Sequence, residues 1–176
     1  THELIRQHPI PAEKLAGTTT QSWEEIFETK IGRKGLLIGT DIFPQPQIMG
    51  FFLHELIPIN IATEYPDWRR DVGGTEKDVV YSKDPFYSFE IKTSSNPRNI
   101  FGNRSYAQLG QSEKRLKDGY LLAVNFEGFN RSKTPRIVRI RFGWLEHSDW
   151  IGQRAATGQQ ARLSTGANHF KLIDIM

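Results

Sequence analysis

Residues 77–95, KDVVYSKDPFYSFEIKTSS, leave little freedom in how this chain folds. Asp78 opens a run of β-formers, Val79, Val80 and Tyr81. Ser82, Lys83, Asp84 and Pro85 follow as a polar turn. Residues 87–93 then alternate, with Tyr87, Phe89 and Ile91 on one face and Ser88, Glu90 and Lys92 on the other. The pattern predicts two short strands joined as a hairpin, its apolar face set on a core. The opposite face carries a carboxylate and an ammonium side by side, with Asp78 within reach across the hairpin. Two positions suited to apolar packing are given to charges, and that requires a reason.

One reason is metal-assisted phosphodiester chemistry. Two carboxylates, Asp78 and Glu90, with a backbone carbonyl of the strand, that of Ile91, offer oxygen ligands to a hard cation such as Mg²⁺. Water and phosphate complete the octahedron. Such a cation polarises the phosphoryl group. Lys92, two residues beyond Glu90, would orient the attacking water or stabilise developing negative charge. The alternative is a solvent-facing strand whose Glu and Lys form an ordinary weak surface pair. Glu-x-Lys alone is too common a spacing to decide between them.

The arrangement of Asp78, then Glu90-Ile91-Lys92 twelve positions on, resembles the PD-(D/E)xK nuclease superfamily. One departure is Lys77, which stands where that pattern has proline. Several stretches are similar to the ScaI-type group of type II restriction endonucleases: DIFPQPQIMGFFLHELIP at 41–58, EKDVVY at 76–81, FEIKTSS at 89–95, FGNRSYAQ at 101–108 and GYLLAVNFEGF at 119–129. The resemblance implies Asp78, Glu90 and Lys92 as catalytic residues. It also implies a further acidic residue from the helix before the hairpin, a role that Glu55 matches. The other reading of Glu55 is a helix-end carboxylate facing water or paired with Arg69 or Arg70.

A chain of 176 residues suits one domain with a single substantial core, here a nuclease domain over 1–176. Its first residue, Thr1, suggests a trimmed or partial chain. The net charge of +3 is compatible with a polyanionic partner without requiring one. The absence of cysteine excludes disulfides and cysteine-based zinc sites, and fits a reducing cytoplasm. No apolar run reaches the ~18 residues of a membrane span, and the N-terminus lacks a signal-type apolar core. Nor is there a P-loop, a G-x-G-x-x-G pattern or an internal repeat. H-E-x-x-H zinc chemistry is excluded at His54-Glu55, because Pro58 stands where the second histidine belongs.

Along the chain, Pro9, Pro11 and Gly17 mark residues 1–17 as an N-terminal arm. Residues 21–31 read as a helix with Ser22 and Glu25 as capping box, Trp23 and Phe27 as core or dimer contacts, and Gly32 as stop. Pro46 suits the first turn of the next helix, whose residues 48–56 are apolar nearly all round and predict burial. Gly73-Gly74 reads as a turn, and Glu76 as an exposed or supporting carboxylate. Residues 96–108 leave the Glu-x-Lys strand rich in side chains that contact bases and phosphates. Arg98, Asn103, Arg104, Ser105 and Tyr106 are the DNA-contact candidates, with Gln108 near the active site. A helix is expected over 106–116, interrupted at Gly110, and a central strand within 119–129. Residues 136–142 alternate, placing Arg139 and Arg141 outward as either a phosphate-binding stripe or a solvated face. Short helices are expected from Ser148 and over 159–163, and an edge strand over 169–175.

Together these readings predict an α/β fold of the restriction-endonuclease type, a central mixed sheet flanked by helices. They predict a Mg²⁺-dependent endonuclease acting on double-stranded DNA at a short palindrome, as a two-fold homodimer. A nicking enzyme, a junction resolvase or a non-catalytic DNA-binding module are the rival readings.

Overall fold

The computed structural model describes residues 2–107, 117–153 and 159–176. Three helices precede the hairpin: α1 (His2–Gln7), α2 (Ala12–Glu28) and α3 (Pro46–Glu64). A small ribbon of β1 (Lys30–Ile31) and β2 (Leu36–Leu37) joins α2 to α3. Then come β3 (Trp68–Arg70), β4 (Val79–Tyr81), β5 (Phe89–Ser94) and β6 (Phe101–Asn103). Last are β7 (Gly119–Phe126), β8 (Ile137–Leu145), β9 (Trp150–Gly152), β10 (Gln160–Leu163) and β11 (Ile173–Asp174).

Six of these strands make a mixed sheet in the order β11-β8-β7-β5-β4-β3. Only β5 and β7 run parallel, pairing Glu90 with Leu121 and Lys92 with Ala123. Strand β7, GYLLAVNF, is buried throughout because both of its faces are covered. One face gathers Phe89, Ile91, Tyr120, Leu122 and Val124 against Leu15, Trp23, Met49, Leu53 and Ile57 of α2 and α3. The other presents Leu121 and Ala123 to a second core built with Tyr106, Trp150, Ala161 and Leu163. Those last residues belong to, or adjoin, a small antiparallel sheet in the order β6-β10-β9. Glu90 and Lys92 therefore point towards the small sheet, beside the second core.

Residues 1–17 are not an arm. Helix α1 occupies 2–7, Ile10 and Leu15 are fully buried, and His8 inserts among Tyr87, Phe89, Tyr120 and Phe142. Proline here precedes a helix rather than breaking one, for Pro11 lies just before α2. Ser22 consequently lies mid-helix. Its hydroxyl donates to the Thr18 carbonyl at 2.8 Å, while Asn60 bridges it to Glu25 from α3. The helix ends at Glu28, ahead of Gly32, which instead turns the β1–β2 ribbon at a φ of +67°.

Helix α3 begins at Pro46 as expected but runs on to Glu64. Only one stripe, Met49, Leu53, Ile57 and Ile61, meets the sheet; Ile48, Phe51 and Ile59 face outward. The sheet and α2 cover that side of α3 alone, whatever the composition of the rest. Residues 160–163 form a strand, not a helix, because β6 and β9 flank them. The short turn of helix near Ser148 is present at His147–Asp149. The edge strand is confined to β11, preceded by a helical turn at Ala167–Lys171. Of the helix expected over 106–116, a 3-10 turn at Arg104–Ala107 is seen; the remainder lies outside the described residues.

Candidate active site

Three groups of the hairpin converge. The backbone N–H of Ile91 donates to Asp78 Oδ2 at 2.7 Å, fixing the carboxylate that opens β4 against the middle of β5. Lys92 Nζ donates to Glu90 Oε1 and to the Ile91 carbonyl, each at 3.0 Å, and stands 3.9 Å from Asp78 Oδ2. The ammonium thus sits at the hub of two carboxylates and a carbonyl. Strand periodicity explains half of this: Phe89 and Ile91 are sealed in the core, so Glu90 and Lys92 must lie on the opposite face. The other half comes from the antiparallel pairing of Val79 with Phe89, which carries Asp78 alongside.

The donor set is hard oxygen, and a lysine ammonium already occupies its centre as a monovalent stand-in. Asp78, Glu90 and the Ile91 carbonyl therefore fit a divalent cation of the Mg²⁺ kind, with water and phosphate needed to complete its shell. Among the described residues no group of three or more acidic, histidine or cysteine side chains is arranged around one point.

Helix α3 does contribute to this site, but by a different residue from the one expected. Glu55 pairs with Arg70 of the edge strand β3, the alternative that the sequence left open. Its neighbour His54 turns inward, with Nδ1 3.6 Å from Asp78 Oδ2. One residue is about 100° of helix rotation, so the phase of α3 on the sheet decides which of the pair reaches the hairpin. Burial pushes the Asp78 carboxyl up, but His54, the Lys92 charge and the Ile91 amide together outweigh it, and the carboxyl is held below its usual range.

Three further residues adjoin this site. Tyr106, a DNA-contact candidate from the sequence, is 3% exposed and donates its hydroxyl to Glu90 Oε1. Burial, reinforced by the Glu90 charge, pushes that hydroxyl well above the ordinary tyrosine value. Lys117 Nζ lies 5.2 Å from the Tyr106 ring centroid, as does Lys92 Nζ. Lys77 is largely enclosed beside Gly119, where a Cβ would come within 3.2 Å of its Nζ and where φ is +138°. Burial pulls the Lys77 ammonium below its usual value, opposed by the Glu90 charge. In the sequence Lys77 showed only as a departure from a motif, and Lys117 carried no signal.

The family model described as ScaI restriction endonuclease matches residues 1–176. The chain belongs to the ScaI restriction endonuclease family. It is 45% identical over 178 residues to the type II restriction enzyme ScaI of Streptomyces caespitosus, across 99% of this chain and 78% of that protein. No solved structure matches. Membership makes this chain a site-specific endodeoxyribonuclease.

Beside the hairpin of this ScaI-family endonuclease runs a cleft of about 700 Å³. Helix α3 supplies Gln47, Phe51 and His54, the end of β5 supplies Thr93 and Ser94, and the small sheet supplies Phe101, Asn103 and Gln160. Asn103 thus lines the cleft, and Arg104 and Ser105, next in the chain, are exposed. Arg98 is exposed on the loop leaving β5. Gln108 lies outside the described residues. The two strand arginines do not form a stripe. Arg139 forms a bidentate ion pair with Asp174 of β11. Arg141 is fully buried, donating to Asn125 Oδ1 at 3.1 Å and to Asn168 Oδ1 at 2.8 Å. Outward alternation failed there because the helical turn at Ala167–Lys171 covers that face of β8. No helix among the described residues is long and apolar enough to cross a membrane.

Proposed function

We propose that this restriction endonuclease hydrolyses both strands of duplex DNA with Mg²⁺ held by Asp78, Glu90 and the Ile91 carbonyl, as a two-fold homodimer in the cytoplasm. The observation that carries the reading is the Lys92 ammonium held between Glu90 Oε1 and the Ile91 carbonyl, with Asp78 beside it. Donors that converge on one cation have the geometry to converge on another. When bound, the metal supplies Lewis-acid polarisation of the phosphoryl group.

Water adds to phosphorus, one ester P–O bond breaks, and the leaving oxygen takes up a proton. Asp78 is oriented for this by the Ile91 amide through Oδ2. With a metal in the place its ammonium now takes, Lys92 has N–H donors released for the water or a phosphate oxygen. The ammoniums of Lys77, Lys92 and Lys117 offset the phosphate charge. Asn103 on the cleft wall, with the exposed Arg104, Ser105 and Arg98 near it in the chain, would contact a duplex held there. Cutting both strands at one site calls for two active sites, which a two-fold dimer provides. The lack of cysteine is compatible with a reducing compartment.

Digestion of a plasmid of known sequence in Mg²⁺ and in EDTA tests the proposal. Discrete fragments in Mg²⁺ alone are expected, and Lys92→Ala should cut orders of magnitude more slowly while binding DNA in EDTA as well as wild type. Nicks only, cleavage confined to four-way junctions, or full activity in EDTA would each overturn it. Sedimentation of the protein on a cognate duplex tests the dimer.

A further inference from the structure

We propose that Tyr106 is a positioning residue that fixes Glu90 for cation binding, an inference that rests on the assignment of Glu90 as a ligand. Glu90 Oε1 receives two donors, the Tyr106 hydroxyl and Lys92 Nζ. Two donors fill the lone pairs of that oxygen. The carboxylate cannot turn without breaking the Tyr106 bond, so that hydroxyl fixes the orientation in which Glu90 meets a metal. A tyrosine in a core needs some partner for its hydroxyl. This one takes the catalytic carboxylate, sixteen positions back in the chain.

The ring is held as firmly as the hydroxyl. Its centroid is 4.6 Å from that of Trp150 on β9. On β6, a Cβ at Gly102 would come within 2.9 Å of the Tyr106 ring and 3.2 Å of Trp150, so only glycine lets the strand approach this closely. Tyr106 is therefore clamped by both outer strands of the small sheet. That sheet also lines the cleft through Phe101, Asn103 and Gln160. A supporting side chain that orients a metal-ligating carboxylate is worth about 10- to 100-fold in metal affinity or activity.

Tyr106→Phe keeps the ring and removes only the hydrogen bond. Two readouts separate positioning from packing: Mn²⁺ binding to the protein, followed by the electron-spin-resonance signal of the free ion, and the Mg²⁺ midpoint of single-turnover cleavage. Both should weaken about 10- to 100-fold. DNA affinity in EDTA should stay within about twofold, and the melting temperature should fall by no more than about 4 °C. Trp150→Phe disturbs the same packing and leaves the hydroxyl; it should lower the melting temperature without moving the Mn²⁺ constant. Glu90→Gln is the reference and should lose Mn²⁺ binding. If Glu90→Gln binds Mn²⁺ like wild type, the ligand assignment itself is wrong. If Glu90→Gln loses Mn²⁺ but Tyr106→Phe keeps the wild-type constant and midpoint, the positioning role alone is overturned. If Trp150→Phe shifts the constant as far as Tyr106→Phe does, packing is responsible and the proposal again falls.

Discussion

Replacing Arg141 with methionine should cost stability and leave DNA binding untouched. The guanidinium is fully buried, and burial with repulsion from Arg139 pulls its pKa to about 10, against the attraction of Asp174. It is held by Asn125 Oδ1, Asn168 Oδ1 and the Asn168 carbonyl. Methionine fills the volume of the aliphatic stem, so no large cavity opens. The Asn125 oxygen, however, loses its donor in a fully enclosed position, which costs about 1–3 kcal/mol. Asn168 is half-exposed and finds water instead, yet the tie between β8 and the turn at Ala167–Lys171 is lost, about 1 kcal/mol more. The sum is about 2–4 kcal/mol. At ~2–4 °C per kcal/mol for a chain of this size, the melting temperature should fall by roughly 4–16 °C. Circular dichroism melts give that number, and duplex binding in EDTA at several salt concentrations gives the second. A phosphate contact would behave in the opposite way, with an unchanged melt and a salt slope shallower by about 0.9. That pair of results would refute the structural role argued for Arg141.

Glu55→Ala should keep cleavage within about twofold of wild type, since its ion pair with Arg70 is solvent-exposed and worth at most ~1 kcal/mol; a tenfold fall in single-turnover rate would return Glu55 to the site. His8 is buried and its pKa is lowered from 6.5, burial outweighing the pull of the Ile10 and Tyr87 carbonyls. The unfolded chain therefore takes up a proton below about pH 6.5 that the native ring refuses, so stability should drop as pH falls from there through the lowered native value. Urea midpoints from pH 5 to 8 should show that part of the slope missing in His8→Gln, and identical slopes would contradict it. Gly143→Ala should be severe, about 3 kcal/mol or more, because its Cβ would lie 1.8 Å from the Lys171 carbonyl oxygen and backbone must move; a wild-type melt would rule that contact out.

The sequence by itself determined the hairpin and which of its faces carries the charges. Alternation through Phe89, Glu90, Ile91 and Lys92 is a property of the extended backbone, so the charged face followed from residue order alone. The apolar run of β7 likewise announced a strand covered on both sides. What covers a face is not local, and there the tertiary structure decided. Arg141 alternates outward by period but is roofed by a turn that begins twenty-six residues later. His54 rather than Glu55 meets Asp78 because packing against the sheet sets the rotation of α3, which composition leaves open. Residues 160–163 became a strand only because β6 and β9 stand on either side of them. Tyr106 had the composition of a DNA-contacting loop; its hydroxyl turned to Glu90 because the small sheet folds over that face of β5 and buries the ring. Periodicity fixes which side chains share a face, and only the assembled chain fixes what that face meets.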